Sequence, residues 1–528
     1  MFGLSNDRYF GLRGGWLTLW VTVACGTDMT LFGYDQGVFG GVVVTDDFLD
    51  TLGLRDNSSL LGTVTAIYDI GCFFGAILAY FIGDILGRKK SILLGTTIMS
   101  IGAILQITAY GVPQMIVGRI VAGVGNGKLI VIELILNIAG FSLSNWVTFG
   151  FSFVGGAVAW RLPLAFQFIF IVILYATVPW LPESPRWLVQ KERVDEAEQI
   201  LADIEGTEIE DPYVQTELNE IKYSTAYELE HAVRIRDLVR GKQGSEAGTC
   251  TLRRIILGMG AQAMQQLSGI NVTSYYLPTV LITSVGFDNR MARLLAACNS
   301  VSYLLFSLIG IPNVERWGRR KMLMYAAAGQ CFCYLLITIL LRFSELRQEQ
   351  GDTIAQKQLA SASVAFFFLY YVFFGIGFQG VPWLFPAEIN GLSMRNKGAA
   401  LGTATNWIFN FMVVEITPIG IDTLHWKFYV IWTVLNASFV PTVYLFYPET
   451  AGRTLEDIDS YFREHKNIFV FKDKVATSSK RPAEFVEREV MEVRRQSSVN
   501  PRAASLAASH PPRPVVSPTV ERLAYHPQ

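Results

Sequence analysis

Charged residues are scarce in this sequence. Asp, Glu, Lys and Arg make up only 17% of the 528 residues, whereas 51% are hydrophobic and the mean hydropathy is +0.33. Soluble domains carry about 25% charged residues, so this composition excludes an ordinary soluble fold and indicates a polytopic membrane protein. The basic residues gather at the ends of apolar runs and form no single basic face, which argues against a nucleic-acid partner.

Histidine, cysteine and cleavable leader signals are scarce as well. None of the five His lies in an apolar run or pairs with another His as metal ligands do, so we expect no metal, no cofactor and no enzyme activity. Five of the six Cys lie in apolar runs, and their spacing gives neither a disulfide framework nor a zinc pattern. The first apolar run begins near Trp16, contains Asp28 and Asp35, and has no small-residue cleavage site. We therefore expect it to remain as a membrane span.

Long apolar runs divide the chain into two halves. The runs cover residues 16–44, 60–82, 91–110, 113–158, 162–181, 254–285, 291–312, 321–342, 362–387, 398–421 and 426–447. A span needs about 20 apolar residues, so the stretch 113–158 is long enough for two, and the count becomes six plus six. The sequence predicts an all-α membrane protein of twelve transmembrane helices in two pseudo-symmetric halves. Its predicted parts are a first half (1–186), a cytoplasmic helical linker (187–252), a second half (253–460) and a disordered cytoplasmic tail (461–528).

Two short motifs recur in corresponding places of the halves. Segments 83–90 and 315–321 each contain an acid, two further residues, Gly-Arg and another basic residue, and segments 182–186 and 448–454 both begin with Pro-Glu-Ser/Thr. The cytoplasmic preference of basic residues explains the Lys and Arg, but it does not explain the accompanying acid and Gly. Repeated six-helix halves are typical of secondary transporters, whose substrate site lies near the midplane between the halves.

The stretch 265–276 places polar groups inside an apolar run. It reads Gln-Gln-Leu-Ser-Gly-Ile-Asn-Val-Thr-Ser-Tyr-Tyr, and hydrocarbon offers its amides and phenols no hydrogen-bond partners. At helical spacing Gln265 and Gln266 lie one to two turns before Asn271 and Tyr275, so these side chains are expected to face one cavity. A ligand rich in hydroxyl groups would suit them. Hydrogen bonding between neighbouring helices is the alternative.

The same stretch resembles the seventh-helix signature of sugar transporters of the major facilitator superfamily. The resemblance implies alternating access, and the Gly and Pro residues of segment 374–383 are consistent with an unwound tenth span that lines a cavity. It implies that the substrate-binding residues are Phe32, Gln265, Gln266, Asn271, Tyr275, Trp383, Asn406 and Asn410. A packing role is the alternative for Trp383. It further implies salt-bridge latches on the cytoplasmic side, formed by Asp84, Arg88, Glu183, Arg186, Glu315, Arg319, Glu388, Arg395, Glu449 and Arg453.

Asp35 in the first span and Arg119 in the fourth are the candidate proton-coupling pair. A carboxylate inside the bilayer is costly unless it is paired, hydrated or protonated, so its charge can depend on the side to which the cavity opens. In the family that the chain resembles, this Asp paired with this Arg is typical of proton-coupled symporters, whereas passive uniporters tend to have Asn. A purely structural pair is the alternative. Asp69 is expected to be a packing or rim residue.

The first half departs from the family pattern. Leu134 stands where the family has a Gln, and Tyr303 in the second half stands where it has an Asn. The acid of the first motif and the Pro of the second are 182 − 84 = 98 residues apart in the first half but 448 − 315 = 133 apart in the second. Roughly one span of about 20 residues is therefore missing. We expect a shortened fourth and fifth helix region, an abrupt junction near Gly127, loss of one charged latch and weak or absent transport.

These inferences predict a secondary active transporter that moves a monosaccharide or polyol, coupled to protons, in the plasma membrane with both termini in the cytoplasm. Its expected partners are the substrate, protons and the lipid bilayer. A sugar sensor on the same fold and a facilitative uniporter are the alternatives. Segment 123–128 (Gly-Val-Gly-Asn-Gly-Lys) is similar to a phosphate-binding loop, but it lacks the first Gly and the final Ser/Thr and follows no strand, so no nucleotide is expected.

Overall fold

The protein is described by a computed structural model over residues 8–126, 134–230, 250–488 and 490–491, and the regular secondary structure in these ranges is all helical. The first half contains α1 (Gly15–Val42), α2 (Asp46–Leu52), α3 (Ser58–Leu86), α4 (Arg88–Ile107), α5 (Val112–Asn126), α6 (Leu134–Phe151) and α7 (Val158–Thr177). The linker contains α8 (Pro185–Gln190), α9 (Val194–Glu205) and α10 (Pro212–Glu230). The second half contains α11 (Thr251–Leu267), α12 (Ile270–Ser274), α13 (Leu277–Val280), α14 (Asn289–Gly310), α15 (Val314–Trp317), α16 (Arg319–Glu349), α17 (Thr353–Phe373), α18 (Val381–Ile389), α19 (Arg395–Leu424) and α20 (Phe428–Phe446). Two short helices follow, α21 (Leu455–Glu464) and α22 (Lys474–Thr477).

The described residues contain the twelve predicted spans. Eight segments are long and apolar enough to cross a membrane, and one of them, Arg395–Phe446, holds both α19 and α20, so they account for nine spans. The other three are α1, α5 and the interrupted helix α11–α13. Their departures from a long apolar helix have local causes, since α1 carries aspartates, α5 is described over 15 residues and α11–α13 is broken.

The two ends of the helix bundle differ in charge. The end where α4 and α16 begin, marked by Arg88 and Arg319, is called the basic face here, and the opposite end, marked by Val44 and Asn289, is called the far face. Each half brings its Pro-Glu motif back to the basic face, where Glu183 meets the start of α4 and Glu449 meets the start of α16. The repeated motifs therefore produce the same local structure in both halves.

Close helix packing fixes the register of the first half. A Cβ atom on Gly33 of α1 would lie 1.8 Å from the carbonyl oxygen of Asn137 in α6, a distance that no side chain tolerates. Likewise a Cβ atom on Gly75 of α3 would lie 2.5 Å from the carbonyl oxygen of Val124 in α5. Small residues allow backbones in a membrane to approach this closely.

This register shows that α5 and α6 cannot both extend as far toward the basic face as their neighbours. α3 continues for eleven residues beyond Gly75, about 16 Å at 1.5 Å per residue, whereas only seven residues join Asn126, the last described residue of α5, to Leu134, the first of α6. Because Asn137 lies three residues into α6 and packs on Gly33, roughly 20 Å of α1 extends past the start of α6. The expected shortening of the fourth and fifth helix region is confirmed. The expected junction near Gly127 lies outside the described residues.

The seventh span is not the continuous helix that the sequence interpretation assumed. α11 ends at Leu267, and Gly269 adopts φ +88°, a left-handed conformation that glycine takes without strain. α12 then covers only Ile270–Ser274, and Pro278 lies in the first turn of α13. Gln265 and Asn271 were predicted to face the same side because of regular helical spacing. They reach that arrangement through this break instead.

The residues that follow the second half are packed against it. α21 begins with a capping box in which Thr454 and Asp457 exchange hydrogen bonds. Val470, Ala476 and Phe485 are buried in the core of the second half. The tail from residue 461 onward was expected to be disordered, but its described part is ordered as far as Phe485. The division of the chain at residue 460 stays a prediction.

Candidate functional site

A cavity lies between the two halves and has about 950 Å³ of empty volume, including the part open to solvent. All eight residues predicted to bind substrate line it, namely Phe32, Gln265, Gln266, Asn271, Tyr275, Trp383, Asn406 and Asn410. The structure therefore brings these side chains together, and their role in binding stays a prediction.

A network of amides forms the polar wall of the cavity. Asn406 on α19 accepts a hydrogen bond from Gln266 Nε2 at 3.0 Å and donates to Gln265 Oε1 at 2.8 Å and Gln262 Oε1 at 2.6 Å. Gln266 Oε1 also accepts from Asn271 Nδ2 at 2.6 Å, across the break in the seventh span. The network holds α11, α12 and α19 in one arrangement.

The unwound tenth span completes the polar wall. Pro382 and Pro386 lack the N–H groups that would bond to the carbonyls four residues earlier, on Phe378 and on Pro382 itself. Those two carbonyls instead accept from Gln265 Nε2 at 2.7 Å and from Gln262 Nε2 at 2.8 Å. A wide π-helical turn at Phe374–Phe378 makes the carbonyls reachable. The predicted unwinding is confirmed, and its backbone groups are satisfied by the neighbouring amides.

Aromatic rings make up much of the remaining wall. The rings of Phe32 and Trp407 meet edge to face with centroids 5.8 Å apart, across the two halves. The Tyr303 hydroxyl donates to Gln379 Oε1. Further lining residues that sequence reasoning did not select are Met29, Gln36, Leu134, Asn137, Phe141, Ile270, Ser274, Tyr303, Phe374, Gln379, Thr403 and Trp407. Trp407 and Gln36 directly follow the selected Asn406 and Asp35, so neighbourhood in sequence was a usable signal for both.

Arg119 is buried between α1 and α3, with 1% of its surface exposed. Its Nη2 donates to the carbonyl oxygen of Thr65 at 2.6 Å. The guanidinium lies over the ring of Phe39 at 3.7 Å and near the ring of Tyr68 at 4.7 Å from the centroid. Aromatic faces can stabilise a desolvated cation in this way.

Two buried carboxylates lie in the neighbourhood of Arg119. Asp35 and Asp69 are each 1% exposed, and Arg119 is a charged neighbour of both. Within the described part of the chain, neither forms an ion pair with Arg119 within 4.0 Å. The structure thus brings the predicted pair into one cluster without direct contact, and it places Asp69 inside the protein instead of on its rim. The proton-coupling role of Asp35 and Arg119 stays a prediction.

The second-half latch on the basic face is fully assembled. The Arg319 guanidinium contacts both carboxylate oxygens of Glu388, at 2.6 and 3.1 Å, and Glu315 at 2.5 Å. Thr450 Oγ1 donates to Glu388 at 2.7 Å. Glu449 accepts the backbone N–H of Arg319 at 2.7 Å, where a carboxylate also suits the start of a helix.

The first half repeats only part of this latch. Glu183 accepts the backbone N–H groups of Arg88 at 2.8 Å and Lys89 at 3.4 Å, as Glu449 does in the second half. Among the described side chains, however, Arg88 is exposed and has no ion pair. The side chain of Asp84 lies outside the described residues. A partner corresponding to Glu388 would have to come from the segment between α5 and α6.

Two further predicted gate residues lie near the linker. Arg186 forms an ion pair with Glu228 of α10. Arg395 is mostly buried, and its Nε and Nη2 atoms have no hydrogen-bond partner in the described part of the chain. Neither residue joins the Arg319 cluster in this conformation.

Arg453 ties the latch to the carboxyl-terminal segment. It donates to the carbonyl oxygens of Val475 and Ser478, the latter at 3.2 Å, and the Glu449 N–H donates to the Ala476 carbonyl at 2.8 Å. Burial lowers the pKa of the Arg453 guanidinium, and Glu449 acts in the opposite direction. The group stays charged because the ordinary arginine pKa is above about 12.

The far face is closed by contacts that sequence reasoning missed. Arg293 at the start of α14, with 4% of its surface exposed, donates to Thr45 Oγ1 at 2.9 Å and to the Thr148 carbonyl at 3.4 Å, both in the first half. Asn289 Nδ2 donates to the Val44 carbonyl at 2.6 Å. In the described residues, the hydrogen bonds that join the two halves lie on the far-face side of the cavity. The cavity therefore opens toward the basic face.

Comparison with known proteins agrees with this arrangement. The family model described as "Sugar (and other) transporter" matches residues 20–133 and 126–462. The MFS-type transporter oryC of Aspergillus oryzae is 55% identical over 527 residues, covering 96% of this chain and 96% of the relative. The sugar transporter STL1 of Saccharomyces cerevisiae is 30% identical over 494 residues, with 87% of this chain and 84% of the relative covered. The high glucose sensor RGT2 of the same yeast is 30% identical, with 87% of this chain and 62% of the relative covered.

The match to the family model is divided at the junction between α5 and α6. The two segments matched by the family model meet at residues 126–133, which is where the described helices stop and resume. The alignment to the Aspergillus oryzae relative has 527 positions, but it includes only 96% of the 528 residues of this chain, which is about 507. About 20 positions of the alignment therefore lie opposite gaps in this chain. That length is similar to the missing span expected from the sequence.

Solved structures share the fold. The proton:xylose symporter XylE bound to 6-bromo-6-deoxy-D-glucose has a TM-score of 0.66 and 23% identity, covering 84% of this chain and 98% of that one. The partially occluded inward open conformation of XylE from E. coli has a TM-score of 0.66 and 21% identity, covering 83% and 99%. Membership of a family of transport proteins confirms the prediction that the chain is not an enzyme. With this fold and these matches, the chain is a membrane protein of the major facilitator superfamily and belongs to its sugar transporter family.

Proposed function

We propose that the protein is a secondary active transporter that carries a monosaccharide or polyol together with protons by alternating access. The observation that carries the proposal is the cavity between the halves, where amides from α11, α12 and α19 meet aromatic rings from both halves. Amides can donate to and accept from hydroxyl groups, and aromatic faces suit the C–H surface of a sugar. The relatives named as sugar transporters support this substrate class.

The positive-inside rule assigns the basic face to the cytoplasm of the cell, with both termini and the linker on that side of the plasma membrane. On this assignment the structure corresponds to an inward-facing state. Arg319 and Glu388 are already paired within the second half in this state, so closing the cytoplasmic entrance in the opposite state would require further contacts on the basic face between predicted gate residues of the two halves. The incomplete latch around Arg88 would weaken this closure.

Proton coupling is supported by the position of Asp35. The carboxylate is buried close to the cavity, since Phe32 and Gln36 on the same helix line it, and Arg119 is its charged neighbour. Such a group changes its charge most readily when the cavity opens to water. The relative described as a proton:xylose symporter supports the same mechanism.

Uptake into a yeast strain without hexose or polyol transporters tests the proposal. Labelled glucose, xylose and glycerol are offered at external pH 5 and pH 7.5, with and without a protonophore. In the version that carries the family-like insert described below, we expect accumulation at pH 5 that the protonophore abolishes, and the chain as it stands should accumulate little or none. Equal uptake under all conditions without accumulation would indicate a uniporter. Saturable binding without flux would indicate a sensor, the function that the name of one relative carries.

The shortened helices require a second chain in the same assay. A version with a family-like insert of about 20 residues after Gly125 is expressed beside the chain as it stands. If neither version binds or transports any sugar or polyol although both reach the membrane, the proposed function is wrong.

A further inference from the structure

We infer that the site selects an uncharged sugar or polyol derivative that carries an apolar substituent, and that Tyr303 sets this preference. The inference rests on the transport function proposed above and deepens it. None of the described residues that line the cavity is Asp, Glu, Lys, Arg or His. A charged substrate would therefore lose its hydration without gaining a counter-charge, which is costly.

The polar groups of the cavity lie almost entirely on one side. The first half contributes six lining residues, of which four are apolar: Met29, Phe32, Leu134 and Phe141. Its two polar residues are Gln36 and Asn137. The wall opposite, from the second half, carries the amide network. A substrate that fits both walls has one polar edge and one apolar face.

The amides of the network are largely satisfied by one another. Gln266 uses its Nε2 on Asn406 and its Oε1 on Asn271, and Asn406 uses both ends of its amide as well. In the described part of the chain, Asn137 Nδ2, the Tyr275 hydroxyl and Asn410 Oδ1 line the cavity without a partner, so a few substrate hydroxyls can bind there. Any further hydroxyl must replace an existing hydrogen bond and therefore gains less than it would from an unpaired partner.

Tyr303 reduces the polar capacity further and adds apolar surface. Its hydroxyl donates to Gln379 Oε1, which occupies an acceptor that would otherwise face the cavity. Its ring lies 4.7 Å from that of Tyr371 and meets Phe374 at 5.8 Å and Phe141 of the first half at 6.2 Å, centroid to centroid. The rings of Phe141, Tyr303 and Phe374 line the cavity as one aromatic wall, and Tyr371 packs on Tyr303 outside the lining. An alkyl or aryl substituent can pack on this wall, whereas a hydroxyl loses hydration there.

The preference is measurable through the two tryptophans that line the cavity, Trp383 and Trp407. The full chain in lipid nanodiscs is titrated with D-glucose, cyclohexyl β-D-glucopyranoside and D-glucuronate, and quenching of tryptophan emission gives Kd. We expect the cyclohexyl glucoside to bind at least tenfold more tightly than glucose, and glucuronate to give no saturable signal. Cyclohexyl groups do not absorb at the excitation wavelength, so the quenching reports binding alone.

Variants separate the role of Tyr303 from general damage. Tyr303→Asn should reduce the preference for the cyclohexyl glucoside to less than threefold, whereas Tyr303→Phe keeps the ring and should retain it. Tyr325→Asn, at an exposed tyrosine outside the cavity, is the matched control and should behave like the unchanged chain. Size-exclusion profiles of all variants identify any that fail to fold.

The outcomes distinguish this inference from the proposed function. Glucose binding as tightly as the cyclohexyl glucoside, or an unchanged ratio in Tyr303→Asn, would overturn the inference and leave sugar transport intact. Absence of binding and uptake for every neutral sugar, in the chain as it stands and with the insert, would overturn both.

Discussion

Replacing Arg293 by Ala should open the far face. The substitution removes a charged donor that joins the second half to Thr45 at 2.9 Å and to Thr148 at 3.4 Å. A hydrogen bond to a charged group contributes about 1.5–3 kcal/mol, and we take the lower value for each because one of the two is long. The loss is then about 3 kcal/mol, which corresponds to a shift of about 100-fold in the equilibrium toward the outward-open state.

Double electron–electron resonance can measure this shift. Spin labels at Asp56 and Thr423, which are exposed on the far face of the first and second half, report the separation of the halves. The native cysteines are first replaced, since six are present. In the parent chain we expect one short distance, and in Arg293→Ala a dominant longer one. Lys357→Ala, which removes an exposed cation near the far-face end of α17 in the second half, is the matched control.

If Arg293→Ala retains the short distance in the same proportion as Lys357→Ala, the buried guanidinium does not hold the far face closed. Arg293→Lys should give an intermediate population because a lysine keeps the charge but loses the fork that reaches two acceptors.

Three further predictions concern coupling, binding and the junction. Asp35→Asn, made in the chain that carries the insert after Gly125, should abolish proton-driven accumulation while exchange or binding remains, and accumulation at pH 5 equal to that of the insert-bearing parent would remove Asp35 from coupling. Gln265→Ala and Asn271→Ala should each weaken substrate binding by roughly 0.5–1.5 kcal/mol, two- to about tenfold in Kd, without loss of membrane insertion; parental affinity in both would relocate the site. The chain as it stands should transport weakly or not at all, and an insert of about 20 residues after Gly125 should restore uptake. Equal uptake by both chains would make the junction a tolerated variation.

The polar wall of the cavity could be predicted because its residues lie in positions where hydrocarbon offers no partner. Gln265, Gln266 and Asn271 are amides in a long apolar run, and Asn406 lies in another. Burial of such groups requires partners, and they find one another. The shortened region could also be predicted, since it follows from comparing the lengths of two repeated halves.

Other parts of the site depend on contacts between distant segments and leave no local pattern. Arg293 follows a polar loop and looks like an ordinary residue at a helix start, and only the approach of Thr45 and Thr148 buries it. Tyr303 was noticed as a departure, but its bond to Gln379 depends on the π-helical turn of the tenth span. The break at Gly269 was hidden because glycine is also common in regular membrane helices.

The short stretch that holds α5 and α6 has a consequence for the lipid around it. From Val112 to Phe151 there are 40 residues, which at 1.5 Å per residue span about 60 Å as helix, whereas two crossings of a hydrocarbon core about 30 Å thick need that length before any turn between them. A helix shorter than the hydrocarbon draws the headgroups inward or tilts, at a cost of a fraction of a kcal/mol per Å of mismatch. On this side of the first half, headgroups and water would thus approach the buried cluster around Arg119 from the membrane. The thickness of the host membrane then becomes a determinant of how well this chain seals, and thinner bilayers should accommodate it better than thicker ones.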